Sequence, residues 1–284
     1  MTESDVDSSC IVCGDRGRVF LEREDLCLVR SPACGLEWQD PMPTEEELDA
    51  LYDATYFERW GSVDDPSENP VRTMKRITYG VVLDAIRQHV TGGALLDVGC
   101  ALGYLVEAAL DRDFDALGLD RNTHAVRWAA ERLGERVSAG ELDATAFPGR
   151  RFDAVTLTDV LEHVPDPGEL LARCRERLTA SGVLALLLPN AGSATRRLFG
   201  NHWPHYVAEH LYHFRPDNLS RYLGQHGFEV LEARTGFRKA FTGQYLGTYA
   251  ARVGSFVPPG IDRLGALPIR IPTGEMLVIA RRRA

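Results

Sequence analysis

The sequence predicts an α/β fold whose core is one doubly wound, mostly parallel sheet. Three observations carry this. From residue 94 onward, short apolar segments alternate with amphipathic ones. Some apolar segments are unbroken, as in Val183-Leu184-Ala185-Leu186-Leu187-Leu188, which suits strands covered on both faces. The first segment ends in an acid and turns through glycines into a helix: Leu95-Leu96-Asp97-Val98-Gly99-Cys100-Ala101-Leu102-Gly103.

The elements follow in order. Residues 1–43 form a cysteine-bearing module ending in Asp40-Pro41-Met42-Pro43. Thr44 caps a short helix running to about Tyr52, with Glu47 three positions on to complete a capping box. Residues 61–70 are a loop rich in Asp, Ser and Pro. Val71, Met74, Ile77, Val81, Val82, Ala85 and Ile86 recur at helical spacing, so 71–90 is an amphipathic helix, and 44–91 as a whole is a helical linker or lid. The main domain is 92–284. Its strands are expected at 94–98, 115–120, 135–139, 152–158, 182–188, 228–233 and 275–280, and its helices at 103–112, 122–133, 167–179 and 216–226. Seven strands in this alternation make a Rossmann-like sheet, with ligands beyond the strands' carboxyl ends. A loop at 190–215 follows the fifth strand. An insertion at 236–272 carries Phe237, Phe241, Tyr245, Leu246 and Tyr249 on an expected helix, serving as a lid or a homodimer surface. No internal repeat is read.

Composition bounds the function. The chain has 284 residues, 44% apolar and 26% charged, ordinary for a globular protein. No apolar run reaches membrane-spanning length, so no membrane partner is expected. Met1 to Asp7 is polar, with no apolar signal core, which makes the cytoplasm the expected location. A net charge of −9 argues against a nucleic-acid partner. Four of the six cysteines fall within 10–34, a clustering that points to a metal or redox pair.

The strand-end acids define a cofactor. Gly99 and Gly103 allow close backbone approach, with Cys100 and Ala101 in the turn. An anion at Asp97 would repel a pyrophosphate but attract an aminium. Asp120, with Arg121 beside it, ends the second strand 23 residues later, where ribose hydroxyls are gripped. After the third strand, Glu141 can accept from an adenine amino group while the Leu142 N–H reaches a ring nitrogen; Asp143 is the competing acid. Thr158 ends the fourth strand beside the methionine portion, and His163 lines the same site. An amine, a ribose and an adenine together describe S-adenosylmethionine (SAM).

The segment Asp159-Val160-Leu161-Glu162-His163-Val164-Pro165-Asp166-Pro167, followed by Leu178-Thr179-Ala180-Ser181-Gly182-Val183, resembles class I SAM-dependent methyltransferases. The branch is that of ubiquinone-type O-methyltransferases and bacterial sugar and natural-product methyltransferases, and the resemblance covers about residues 75–284. In the quinone branch, the Glu162-His163 region implies a divalent metal. Cys10-x-x-Cys13, Cys34-Gly35-Leu36 and the Pro41 to Leu48 stretch are similar to a zinc-knuckle head, implying a zinc-ribbon-like module. That head carries two C-x-x-C pairs, and here Ser31 opens the second. Serine is a poor zinc ligand beside thiolate. Cys27 is the expected fourth ligand with Cys10, Cys13 and Cys34, although four residues of extended strand, about 13 Å, separate it from Ser31.

The acceptor chemistry falls on 202–213, which holds His202, His205, His210 and His213. A histidine cluster could ligate a metal. In related sugar methyltransferases a Glu-His pair matches Glu209-His210, which implies His210 as general base and Glu209 as its orienting partner. Val207 stands where carbon-methylating relatives have tyrosine. Trp203, Tyr206, Tyr212 and Phe214 are read either as an acceptor wall or as core. The expected activity is methyl transfer to a small-molecule hydroxyl of a sugar or secondary metabolite. The alternatives are N- or C-methylation, or a non-catalytic SAM-binding accessory role.

Overall fold

The structure, a computed structural model, describes residues 5–51, 70–91, 93–143, 145–243, 245–246, 265 and 267–283. Tyr52, the loop at 61–69 and Tyr249 lie outside the described residues.

Seven strands build the main sheet: β5 (Gly93–Val98), β6 (Phe114–Asp120), β7 (Val137–Ala139), β8 (Phe152–Thr158), β9 (Leu178–Pro189), β11 (Phe228–Arg234) and β14 (Glu275–Arg282). Their order is β11-β14-β9-β8-β5-β6-β7, with β14 antiparallel to both its neighbours. The chain leaves β5 toward β7 on one side, then returns to β8 on the other. The switch between β5 and β8 opens a crevice at their carboxyl ends, where open α/β sheets bind ligands. Four helices cover the sheet as the periodicity predicts: α3 (Tyr104–Leu110), α4 (Thr123–Leu133), α5 (Pro167–Arg177) and α6 (Pro216–Gln225). Before them come α1 (Glu45–Leu51) and α2 (Pro70–Arg87). The capping box on α1 is formed: the Glu47 N–H donates to Thr44 Oγ1 at 3.3 Å and the Thr44 N–H to Glu47 Oε2 at 2.8 Å. α2 turns Val71, Met74, Val82, Leu83, Ala85 and Ile86 into the core.

The cysteine-bearing module is not set apart from the main domain. Its strands β1 (Asp5–Ser9), β2 (Arg16–Arg23), β3 (Leu26–Arg30) and β4 (Glu37–Gln39) are joined by β10 (Tyr212–His213) from the histidine-rich loop, in the order β1-β2-β3-β4-β10. Tyr212 pairs with Trp38 and His213 with Glu37. One apolar core runs from Cys10, Val12 and Trp38 through Phe214 to Leu186 on the main sheet. Buried Glu37 ties the two parts together. It accepts from Arg30 Nε at 2.8 Å and from the Tyr206 hydroxyl at 2.6 Å, with the Arg196 guanidinium 3.8 Å away.

The module also contains a repeat that the sequence reading missed. In residues 10–15 the Cys10 N–H donates to Asp15 O (2.8 Å) and the Gly14 N–H to Cys10 O (2.9 Å). In residues 31–36 the Ser31 N–H donates to Leu36 O (2.9 Å) and the Gly35 N–H to Ser31 O (3.0 Å). Gly14 and Gly35 share the left-handed conformation, at φ 76° and 70°.

The insertion departs from expectation. Its flank at Arg238–Thr242 is strand β12, paired antiparallel with β13 (Pro268–Pro272), rather than a helix. The reason is a period of two: Ala240 and Thr242 are buried, and both hang from α2, where the Ala240 N–H donates to Thr78 Oγ1 at 3.0 Å.

Candidate active site

The turn after β5 is built by hydrogen bonds to β6. The Gly99 and Cys100 N–H groups donate to Leu119 O at 2.8 and 3.1 Å, and the Ala101 N–H to Asp120 Oδ2 at 2.7 Å. Ala101 holds φ 46°, a strained value for a residue with a Cβ, paid for by that bond. At Gly103, φ 75°, any Cβ would lie 2.5 Å from Leu133, so glycine lets α3 start close to α4. The Cys100 side chain is buried against Gly118.

The acids differ in environment. Asp97 is buried and accepts from Thr156 Oγ1 at 2.6 Å. Burial, with the Asp120 charge added, pushes its carboxyl up to about 7. Asp120 is also raised by burial, although Ala101 and Asn122 N–H groups donate to it. Asp143 spends its carboxylate on its own turn, accepting from the Thr145 and Ala146 N–H groups at 2.7 and 3.0 Å. Glu141 is exposed, with the Arg173 guanidinium 3.8 Å away. Leu142 is buried beside it, Thr158 is buried at the end of β8, and Arg121 is exposed ahead of α4.

Beyond β8 and β9 lies a second cluster. Asp159, at φ 57°, accepts from Lys239 Nζ at 3.0 Å on both oxygens, and Lys239 reaches Glu275 at 2.5 Å. Lys75 is 3.9 Å from Asp159. Against partial desolvation, Lys239 and Lys75 hold the half-buried Asp159 carboxyl down to about 2. Sequence reasoning missed Lys239, because a lone lysine in an insertion expected to be helical reads as a surface residue.

The histidines converge here. His205 O accepts from both His210 Nδ1 (2.8 Å) and His213 Nε2 (3.0 Å), and His205 Nε2 donates to Thr273 O (3.0 Å). A carbonyl can only accept, so these partners assign the protons and leave the lone pair of His210 on Nε2. The expected orienting role of Glu209 is thus corrected: the His205 carbonyl holds the ring, because the loop doubles back on itself. Glu209 gives its backbone to His163. The His163 and His210 rings meet edge to face, centroids 4.6 Å apart. Burial lowers all of them: His163 to about 4, His213 to about 3, and His210 well below the usual range, so each imidazole is neutral at pH 7. His202 stands apart, exposed. Trp203, Tyr206, Tyr212 and Phe214 are buried as core, the Tyr212 hydroxyl donating to Pro165 O at 3.1 Å.

Two groups have the chemistry of metal sites. Among the described residues, both oxygens of buried Glu162 have no hydrogen-bond partner. One of them and ring nitrogens of His163 and His210 lie within 4.8 Å of one another. An orphaned buried carboxylate beside two neutral imidazoles fits a divalent cation, the third donor being His210 because Asp159 is held by Lys239. In the module, the sulfurs of Cys10, Cys13 and Cys34 are gathered, and all three cysteines are free. Cys27 is not among them, which corrects the expected fourth ligand. It is held in β3 opposite Glu22, and its carbonyl accepts from the Asp40 N–H at 3.1 Å.

Comparison with known proteins agrees with this architecture. A family model described as a methyltransferase domain matches residues 73–233, more than half of the chain. Curated relatives named ubiquinone biosynthesis O-methyltransferase include one from Xanthomonas campestris, 32% identical over 149 residues. That match covers 50% of this chain and spans 60% of the relative's length. One from Azorhizobium caulinodans is 27% identical over 234 residues, 72% of this chain and 81% of the relative. Among solved structures, the Burkholderia thailandensis 1,6-didemethyltoxoflavin N1-methyltransferase with bound S-adenosylhomocysteine has a TM-score of 0.53 at 16% identity, covering 94% of this chain and 99% of that one. The Synechocystis magnesium protoporphyrin IX methyltransferase also scores 0.53, at 17% identity, covering 84% and 100%. A seven-stranded sheet with an acid at the end of β5 and a glycine turn at its switch point defines a nucleotide-cofactor α/β enzyme. The chain belongs to the class I SAM-dependent methyltransferases. Among the described residues no helix is long and apolar enough to cross a membrane.

Proposed function

We propose that this enzyme methylates a hydroxyl oxygen of a small-molecule acceptor, a sugar or secondary metabolite, with His210 as general base. S-adenosylmethionine, when bound, supplies a methyl group already activated on sulfonium. The chain's own residues then bind and orient. In this reading Asp97 receives the aminium. Asp120 takes the ribose hydroxyls, because a carboxylate has about four acceptor sites and two backbone N–H groups fill only half. Glu141 and the Leu142 N–H take the adenine edge, Thr158 and His163 flank the methionine end, and His210 Nε2 accepts the proton of the acceptor hydroxyl.

One observation carries the reading: the His205 carbonyl fixes the His210 tautomer with Nε2 unprotonated, in a half-buried cluster beyond β9. The relatives named O-methyltransferases support oxygen as the atom methylated. The test is His210→Ala assayed on a panel of phenolic and sugar acceptors. S-adenosylhomocysteine binding is expected to persist while turnover falls about 10²–10⁴-fold. Undiminished turnover would remove His210 from the mechanism, and product NMR separates O- from N- or C-methylation.

Glu162's unpartnered oxygens favour a second reading, in which Glu162, His163 and His210 hold a divalent cation that polarises the acceptor oxygen. The two readings use the same His210 lone pair. Turnover abolished by chelation and restored by Mg²⁺ or Mn²⁺ selects the second, and chelator-insensitive turnover selects the first.

A further inference from the structure

The two turns of the module share the same backbone hydrogen bonds, and the correspondence extends to their first side chains. Cys10 Sγ accepts from the Val12 N–H at 3.4 Å, two residues on, and from the backbone of Cys13, three residues on. Ser31 Oγ accepts from the Ala33 N–H at 3.2 Å and the Cys34 N–H at 3.1 Å, the same two positions. Ser31 Oγ therefore stands where a mirrored Cys10 sulfur would stand. It lies 3.2 Å from Cys13 Sγ, while Cys34 Sγ lies 3.5 Å from Cys10 Sγ and 3.4 Å from Cys13 Sγ.

These three separations can be compared with three of the six edges of a zinc tetrahedron. Four arms of zinc–thiolate length give sulfur–sulfur edges of about 3.8 Å, and a shorter zinc–oxygen arm gives a sulfur–oxygen edge of about 3.5 Å. The observed separations fall just inside both, and far outside the roughly 2.05 Å of a disulfide. Ser31 is also buried, so no bulk water competes for that corner. Three thiolates and a neutral hydroxyl around Zn²⁺ leave one net negative charge where four thiolates leave two. That lower charge is the cheaper one to bury.

We infer that the module binds zinc through Cys10, Cys13, Cys34 and the Ser31 hydroxyl. The oxygen corner makes the site weaker than a four-sulfur one, and Cys27 takes no part. The inference is independent of the methyl acceptor and of His210.

The test uses the full chain, with zinc quantified by elemental analysis and the metal replaced by Co²⁺ for spectroscopy. About one zinc per chain is expected, with a tetrahedral cobalt spectrum. In Ser31→Cys the thiolate-to-cobalt charge-transfer band should grow by about a third, as three sulfurs become four, and zinc should resist a competing chelator roughly tenfold better. Cys27→Ala should leave both unchanged, a control that holds even where Ser31→Cys folds poorly. A chain that binds neither metal, a Ser31→Cys spectrum identical to the parent's, or a sulfur lost from the spectrum in Cys27→Ala would each overturn the assignment.

Discussion

Asp97 offers a sharp test of the cofactor site. Its carboxyl titrates at about 7 instead of 3.8 because it is buried and the Asp120 charge is near. That difference amounts to about 4 kcal/mol against the charged form in the ligand-free protein. A ligand aminium needs the carboxylate ionised. At pH 8 roughly nine-tenths of the protein is ionised at this position, and at pH 6 roughly one-tenth. The Kd of S-adenosylhomocysteine should therefore weaken about tenfold from pH 8 to pH 6, with proton release on binding at the lower pH. Isothermal titration in buffers of different ionisation enthalpy reads both quantities. Asp97→Asn is the control, since titration of the ligand's own amine remains in it. The sign for stability runs the other way. A carboxyl raised in the folded state favours folding below pH 3.8 and loses that contribution as pH rises through 7. Asp97→Asn should thus bind ligand poorly yet melt several degrees higher at pH 8, each kcal/mol being worth about 2–4 °C. Parallel pH profiles for the two proteins would refute the assignment of Asp97 to the aminium.

Other outcomes follow from the acceptor side. His163, His210 and His213 are lowered by burial, so the unfolded chain takes up their protons first, and stability should drop as pH falls below about 6.5. Thermal melts between pH 7 and 4 read this; a flat profile contradicts neutral buried imidazoles. Lys239→Met leaves buried Glu275 without its cation and Asp159 with only Lys75, and should cost about 3–5 kcal/mol, visible in denaturant unfolding. Adding Asp159→Asn should restore part of that loss, and an unchanged midpoint in the single variant would mean the charge is solvated. Gln39 Nε2 donates to Ala208 O at 2.7 Å and His210 O at 3.2 Å. Gln39→Ala should lower kcat by roughly 10²-fold through misplacement of the loop, with S-adenosylhomocysteine affinity unchanged. Equal losses in both would point to general unfolding.

The main sheet was legible because its signals are local. Each strand is an apolar run bounded by glycine or an acid, and all seven expected segments overlap strands of the main sheet. The strand-end acids were legible for the same reason. What escaped was non-local. Lys239 matters through Asp159, 80 positions earlier. The carbonyl that orients His210 belongs to His205, and no side-chain pattern marks a backbone acceptor. The expected helix holds at Tyr245 and Leu246 but not at Phe237 and Phe241, where aromatic spacing mimicked a helical face while the contacts that settle the strand come from α2 and β13. Ser31 was set aside for its weak donor atom, although its place in the second turn follows from spacing alone.

The pairing of β10 with β4 bears on how the two pieces can be exchanged as well as on shape. A sheet whose last strand comes from the acceptor loop cannot be exchanged for another enzyme's head without leaving that loop's edge bare. Chimeras that graft a foreign head while keeping residues 201–213 should misfold at the seam, whereas those that move both pieces together should carry acceptor preference with them. Head and loop form one folding unit, though more than 150 residues of chain separate them.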